Sequence, residues 1–497
     1  MKFVRRPDLN LEKRIHIATF AMLCQGTYGA MSELANQQGI SRTFLYQLMN
    51  QAILYLSLCF SEPPCVDTDR SHRDWHELIL LLRLEGQCSI SSITEILRDQ
   101  GISPASHGTL SERFKADGSQ LPSTLKTDQP HCVMVLGDEI FACNRPILMT
   151  IEPVSTAILR IELAPNRNAD TWKNHFLQIQ QNQYVALGLA SDRGTGLVKG
   201  FHDACPDKPW YSDHFHELRD LCRSLTRIEN QAYAMIEQES ECLRKFDNAR
   251  SSDNLHKRLS AYEHAAASAH QMITRYDHLQ FLVDSIRLSL PFFDAQGRPQ
   301  QPDTAKESIR AALDLIQTLG DAKLNDITQT LWQHIDDITG CLKQAQTCYD
   351  QLTDIAPINA RDYLCMAWQH WHQTHQTKSA TKRYHQREHD FWLTCAEPFL
   401  GESAQGVIDE AFSRLNAMVR ASSLVEMVNS HIRPYLNACK GQITQETLNL
   451  IMFYHNHRRY KEGKRQGQAP IEILTGKKLD KHWVALLADT LVTEQVA

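Results

Sequence analysis

Two apolar runs that each end in an aspartate constrain the fold of this chain more than any other feature. Val133–Gly137 leads into Asp138, and Val185–Ser191 leads into Asp192. Short apolar runs bounded by turn residues predict buried strands, and a strand that ends in a carboxylate holds it rigidly at a sheet edge. Glu426 lies on a later predicted helix. Two strands and a helix can converge three carboxylates on a pair of divalent cations, which is the arrangement for in-line attack on a phosphodiester.

The region around the aspartates predicts a mixed α/β sheet. Strands are predicted at 132–137, 147–151, 155–163, 184–190 and 209–213. Turns are expected at Asn144–Pro146 and Glu152–Pro153, and helices at 169–180 and after Gly194–Gly196. The order strand-strand-strand-helix-strand-helix-strand is that of RNase H-like folds, in which the first and fourth strands are neighbours. That order would place Asp138 and Asp192 side by side, with Asp138 as the bridge between two metal ions.

Glu426, Asn429 and Arg433 share one face of their predicted helix because they lie at positions i, i+3 and i+7. Apolar residues surround this polar stripe, so we expect it to point at a specific target rather than at solvent. A metal ion suits Glu426, and a phosphate or a neighbouring carboxylate suits Asn429 and Arg433. The alternative is a solvated stripe on an amphipathic helix.

The N-terminal region, residues 1–125, predicts two helix-turn-helix units whose apolar packing is separate from that of the sheet. In the first, a short helix ends at Gly39 and a second runs from Arg42 to Ala52; in the second, a helix ends at Gly101 and another spans 105–115. The side chains expected to contact DNA are Arg42, Thr43, Tyr46 and Gln47 in the first unit, and Ser106, His107, Thr109 and Arg113 in the second. The alternative is a pair of purely structural helical domains.

A chain of 497 residues predicts several domains. Heptad-like seams at Leu218–Phe246 and Leu255–Tyr276 predict an antiparallel helical hairpin within a long all-α insertion. We therefore predict a multidomain α/β protein, an RNase H-like core interrupted by this insertion. The expected ranges are 1–62 and 66–125 for the helix-turn-helix domains, 128–216 for the first part of the core, 217–420 for the insertion, and 421–497 for the last part of the core with its basic tail.

Charge and hydropathy limit the classes of protein. A net charge of −6 counts mildly against a nucleic-acid-binding protein, but positive charge is concentrated after residue 457. In that tail, Arg458, Arg459, Lys464 and Arg465 are candidate phosphate contacts. No apolar run reaches the ~18–20 residues of a membrane span, and the N-terminus lacks the apolar stretch of a signal peptide, so we expect a cytoplasmic protein. A zinc site near Cys205, His214, His216 and Cys222 is a weaker possibility, because the spacing matches no standard pattern.

Several motifs together resemble those of bacterial insertion-sequence transposases. They are Gly137–Phe141, Ser191–Gly196, Ser212–His216, Glu426-x-x-Asn429-x-x-x-Arg433, Phe453–Tyr460, and the segment from Gly463 to Gly476 that contains Pro470. The resemblance covers about 128–216 and 421–478 and does not account for the insertion. It implies a DDE transposase with Asp138, Asp192 and Glu426 as catalytic metal ligands. It also implies Mg²⁺ or Mn²⁺, cleavage at transposon ends, and strand transfer by a 3′-hydroxyl.

The expected partners are double-stranded DNA, at both transposon ends and target, and a second copy of the chain, because strand transfer requires two ends held together. Two other functions remain open: a catalytically silent, transposase-derived DNA-binding regulator, and an RNase H-like structure-specific nuclease.

Overall fold

The computed structural model describes residues 8–60, 75–102, 106–248, 252–375, 379–419, 423–439 and 443–494. The chain divides into two compact units, Met1–Leu78 and Ile79–Ala497. Among the described residues, none of the helices combines the length and the apolar character that a membrane crossing requires.

The first unit contains three helices, Leu11–Leu23, Ala30–Gln37 and Arg42–Phe60. Gly39 adopts a φ of 61° at the corner between the last two helices, which is a conformation that glycine reaches without strain. Ser41 Oγ accepts a hydrogen bond from Phe44 N and caps the third helix. Buried residues such as Ala21, Leu34 and Leu45 form a separate apolar core. The predicted corner is therefore present within a unit that has its own core.

The compact unit Ile79–Ala497 is built on a five-stranded mixed sheet, although most of its residues are helical. Its strands are β1 (His131–Ala142), β2 (Arg145–Ile151), β3 (Ile158–Leu163), β4 (Tyr184–Ser191) and β5 (Trp210–Ser212). Their order across the sheet is β3-β2-β1-β4-β5. β1, β2 and β3 form an antiparallel meander, whereas β4 pairs parallel to β1 and β5 parallel to β4. The predicted strand order and the pairing of the first and fourth strands are confirmed.

The prediction that the first strand ends at Asp138 is wrong. β1 continues to Ala142, and Asp138 pairs with Met149 within the β1–β2 ladder. The strands extend this far because the hairpin turns at Cys143 and Asn144, whose φ values of 46° and 64° are both positive. Positive φ at both central residues matches the right-handed twist of two paired strands, so a two-residue turn suffices.

Helices cover both faces of the sheet because side chains of a strand alternate between faces. Val133 and Val135 of β1 pack with helices Ala169–Gln181 and Thr195–Ala204. Met134 and Leu136 belong to a larger cluster on the opposite face. The helices of that cluster are Ile90–Asp99, His107–Ser119, Ser423–Ala438, Gln445–His457 and Trp483–Glu494, with the π-helical turn Leu81–Glu85.

The second helix-turn-helix unit, 66–125, shares its apolar packing with the sheet, contrary to our prediction. Its buried residues Leu97 and Phe114 belong to the same cluster as Leu136 of β1. The backbones approach so closely that a Cβ added at Gly118 would lie 2.1 Å from Glu446 O. The predicted corner itself is present, with a φ of 68° at Gly101. Residues 103–105, where the second helix was expected to begin, lie outside the described residues.

The segment between β5 and residue 419 is helical, apart from one isolated bridge, among the residues that are described. Helices His214–Asp247 and Ser252–Leu288 form the predicted hairpin, with Phe246 and Tyr262 stacked across its distal part at 6.5 Å between ring centroids. Of the predicted distal turn, residues 249–251 lie outside the described part. The remaining helices are Pro302–Gln317, Ala322–Gln333, Ile335–Gly340, Lys343–Gln351, Ile358–Thr374, Ser379–Leu400 and Ala404–Leu415.

Candidate functional site

Asp138 is the centre of the candidate site. Its Oδ1 accepts a hydrogen bond of 2.8 Å from Glu139 N, and its Oδ2 accepts one of 2.6 Å from Asn429 Nδ2. Burial raises the pKa of Asp138 to about 7; the Glu139 N–H opposes this shift, and the charges of Glu426, Asp192 and Glu139 add to it. The three carboxylates predicted from the sequence are thus close enough for Asp138 to respond to the other two.

Asp192 is the first residue after β4, as predicted. Its Oδ1 accepts a hydrogen bond of 3.0 Å from Gly194 N, which holds the carboxylate at the carboxyl end of the strand. β4 pairs with β1 in parallel, with Leu136 opposite Ala190. Asp138 and Asp192 each follow that pair by two residues, so they lie at the same level of neighbouring strands.

Glu426 lies in the first turn of helix Ser423–Ala438, and the predicted polar stripe exists. Asn429 is buried and joins the helix to β1 through its hydrogen bond to Asp138. Its Oδ1 is buried without a hydrogen-bond partner among the described residues. Arg433 Nη2 lies 3.4 Å from Glu426 Oε2, and both side chains are about half exposed. Residues 420–422, immediately before this helix, lie outside the described part.

An aspartate–histidine pair beside Asp192 was missed as part of the site. Asp213 is buried and caps helix His214–Asp247, accepting a hydrogen bond of 2.7 Å from Phe215 N. Its Oδ2 lies 3.0 Å from His216 Nδ1. The hydrogen bond to Asp213 raises the pKa of His216, and the charge of Asp192 contributes. The available signal was the segment Ser212–His216, which resembles a transposase motif and in which His216 was considered only as a possible zinc ligand.

Two arginines border the carboxylates. Arg167 donates to Glu139, and the charge of Asp192 also contributes to its raised pKa. Arg193 pairs with Glu217 and, at 2.9 Å, with Asp337 of the insertion. The loop after Asp192 is therefore attached to the helical segment that separates β5 from Glu426.

Among the residues that the structure describes, no three His, Cys, Asp or Glu side chains lie close enough together to hold a metal ion as they stand. The weaker zinc possibility is not supported, because Cys205 contacts Gln180 and Cys222 contacts Arg287 instead. Around Asp138 the donor set consists of carboxylate oxygens, which are the ligands that Mg²⁺ and Mn²⁺ prefer. The site is therefore chemically suited to these ions.

The candidate DNA-contacting side chains of the two helix-turn-helix units differ in availability. Arg42, Thr43, Tyr46 and Gln47 are all exposed on the third helix of the first unit. In the second helix-turn-helix unit Ser106, His107, Thr109 and Arg113 are exposed as well, but two of them make hydrogen bonds within their own helix. There Ser106 Oγ accepts a hydrogen bond from Thr109 N, and its hydroxyl lies 2.8 Å from the Thr109 hydroxyl. These two residues therefore cap their own helix.

The four basic residues proposed as phosphate contacts all have partners within the chain. Arg465 donates to Val154 O and Pro153 O at 2.8 and 2.9 Å.

Arg459 pairs with Glu472, and the Arg458 guanidinium lies over the rings of Tyr454 and Tyr460. Lys464 Nζ lies 5.4 Å from the Trp371 ring centroid, where desolvation lowers its pKa to about 8. These four basic side chains of the C-terminal tail are thus largely engaged in contacts within the chain.

The residues around Phe453–Tyr460 protect the open edge of the sheet. Asn456 accepts from Ile158 N at 2.8 Å and donates to Ile158 O at 2.9 Å. Near the other end of the same helix, Gln445 accepts from Leu163 N and donates to Ile161 O. These side chains satisfy backbone groups of β3 that no strand pairs with, and so prevent the edge from pairing with another strand.

No family model matches the chain, and no curated protein matches it.

Proposed function

We propose that this chain is a DNA transposase of the DDE type, with an RNase H-like core split by the all-α insertion. The observation that carries the proposal is the hydrogen bond from Asn429 to Asp138, which joins residues 291 positions apart. It fixes the Glu426 helix beside two parallel strands that carry Asp138 and Asp192. The carboxylates of Asp192 and Glu426, from distant parts of the sequence, thereby come near enough to the buried Asp138 for their charges to raise its pKa.

The residues suit two divalent cations, Mg²⁺ or Mn²⁺. Asp138 is buried beside other carboxylates, and its pKa is about 7. Such a group needs a proton or a cation to offset the local negative charge. Asp138, Asp192 and Glu426 would hold the ions. Bound cations would polarise the scissile phosphate and lower the pKa of the attacking water or 3′-hydroxyl.

The chain's own residues orient these ligands. Asn429 fixes Asp138, Gly194 N fixes Asp192, and Arg433 is placed to orient Glu426. The buried Asp213 accepts a hydrogen bond from Nδ1 of His216 and fixes the ring, which leaves Nε2 as the nitrogen for a phosphate oxygen. Nε2 donates to that oxygen when the ring is protonated, the form that the raised pKa of His216 favours.

In this proposal the exposed face of Arg42, Thr43, Tyr46 and Gln47 reads the ends of the element in the major groove. Strand transfer requires two ends in one assembly, so the active form is a homodimer or a larger oligomer on DNA.

The test is a Mg²⁺-dependent cleavage and strand-transfer assay on DNA that carries the ends flanking the element. Asp192→Asn and Glu426→Gln should each reduce cleavage at least ~100-fold while leaving DNA binding intact, since a metal ligand is lost. Asp203→Asn, an exposed aspartate on helix Thr195–Ala204, is the matched control and should behave as the wild type.

Each other outcome identifies a rival. Cleavage without joining indicates a structure-specific nuclease, and binding without cleavage by the wild type indicates a regulator. Wild-type turnover by both carboxylate variants would refute the proposed site.

A further inference from the structure

Two histidines in the insertion face each other across a pair of helices. His370 lies on Ile358–Thr374 and His385 on Ser379–Leu400. Their Nδ1 atoms are 2.9 Å apart, and the rings are tilted by 40° with centroids 5.2 Å apart. Both residues are partly buried, so solvent ions can reach the pair.

The surroundings favour neutral imidazoles, which is the form that binds metals. Burial lowers the pKa of both histidines, and for His370 the neighbouring His385 lowers it further. The charge of Glu388, one turn beyond His385, acts on both rings in the opposite direction. A carboxylate beside two neutral imidazoles also offsets part of the charge of an incoming cation.

We propose that His370 and His385 bind one divalent transition-metal cation, with their Nδ1 atoms in adjacent coordination positions. Two nitrogens that each lie about 2.0 Å from a metal ion, with a right angle between the two bonds, are about 2.8 Å apart, whereas tetrahedral coordination places them about 3.3 Å apart. The observed separation matches tetragonal or octahedral coordination, the preference of Cu²⁺ and Ni²⁺, more closely than the tetrahedral coordination of Zn²⁺. Without a cation, one ring donates N–H to the other.

The neighbouring histidine shows how the pair is held. His389, four residues after His385, has its Nδ1 at 2.9 Å from Ala367 O on the facing helix. The two helices are thus joined one turn away from the pair, which limits how far the imidazoles can separate. Because the described residues supply no group of three ligands, water completes the coordination. A bound cation would tie the two helices together at a point remote in sequence from the carboxylates.

The test uses the full chain, stripped of metal with a chelator and titrated with NiCl₂ or CuCl₂ by calorimetry. We expect one ion per chain at this site, with affinity at least ~10-fold weaker in His370→Asn and in His385→Asn. His372→Asn, on the same helix and also partly buried, is the matched control. Ni²⁺ should raise the thermal midpoint of the wild type and control by a few degrees, but not that of the two variants.

Unchanged binding in both variants would overturn the proposal, as would the absence of a stoichiometric site in the wild type. If a variant folds poorly by circular dichroism without metal, electron paramagnetic resonance of the Cu²⁺-loaded wild type decides. Coupling to imidazole nitrogens is expected, and its absence refutes the site. Asp192→Asn should bind Ni²⁺ as the wild type does, so the outcome is independent of the proposed transposase function.

Discussion

The two helix-turn-helix units have the same local signature and different structural roles. Each has a glycine with positive φ at its corner, Gly39 in one and Gly101 in the other. The first unit packs around its own core. In the second, Leu97 and Phe114 belong to the same apolar cluster as Leu136 of β1, and Gly118 lies directly against the helix Gln445–His457. A corner motif therefore predicts local geometry, but it does not show whether the corner is free to read DNA.

The exposed side chains lead to the same distinction. The first unit presents four polar or aromatic residues on one helix face. In the second, Ser106 and Thr109 are occupied with capping their own helix. In the proposed transposase, recognition of the DNA ends would therefore belong mainly to the first helix-turn-helix unit, whereas the second supports the core.

Truncation should separate the two units most strongly. Removing residues 1–78 should leave a cooperatively folded core that has lost specific binding to element ends. Removing residues 1–125 should prevent folding, because it deletes apolar side chains that cover one face of the sheet, including Leu97 and Phe114. Circular dichroism melting of both truncated chains is the measurement. If the chain without residues 1–125 melts cooperatively at the same temperature as the chain without residues 1–78, the second helix-turn-helix unit is dispensable for the core.

Core substitutions should show the same contrast at smaller scale. Leu45 of the first helix-turn-helix unit and Leu97 of the second are both fully buried. Leu97→Ala should destabilise the unit that contains the sheet by about 2–5 kcal/mol, through lost burial and the cavity left behind. Leu45→Ala should destabilise only the first unit. Urea unfolding followed by hydrogen exchange on each unit is the measurement, and equal loss of protection around β1 in both variants would contradict it.

Arg465 tests whether the basic tail is structural. Arg465→Ala leaves the carbonyls of Val154 and Pro153 without their donor and should cost about 1–3 kcal/mol of stability. Lys461→Ala, which removes an exposed pair with Glu85, should cost less than about 1 kcal/mol. Chemical denaturation gives both values. If Arg465→Ala is as stable as the wild type but reduces the salt dependence of DNA binding by about one ion, the residue contacts phosphate instead.

Single recognition residues should show the smallest effects. Arg42→Ala should weaken specific end binding by about 1–3 kcal/mol if its side chain contacts a base edge. His107→Ala in the second unit should change it by less. Lys13→Ala, also exposed in the first unit, is the control for lost charge. Binding is measured at a fixed salt concentration on end and random DNA, and an equal loss on both would place Arg42 on the phosphate backbone.

The sequence predicted the core of the molecule because its signals are local and periodic. Alternating and continuous apolar runs gave the strands and their order, and spacings of three and four gave the helical hairpin. Asp192 was placed correctly because the end of an apolar run is itself a sequence feature. Asp138 was misplaced because the continuation of β1 depends on a turn in which Cys143 and Asn144 both adopt positive φ, and neither is glycine.

By itself, the sequence determined the elements, their order and the face shared by Glu426, Asn429 and Arg433. Only the tertiary structure decided which distant groups meet: Asn429 with Asp138, Asp213 and His216 with the surroundings of Asp192, and Arg465 with the backbone at Pro153 and Val154. The reason is physical. Periodicity reflects which side of an element is buried, whereas hydrogen-bond partners and shared cores depend on how elements far apart in the chain pack against each other.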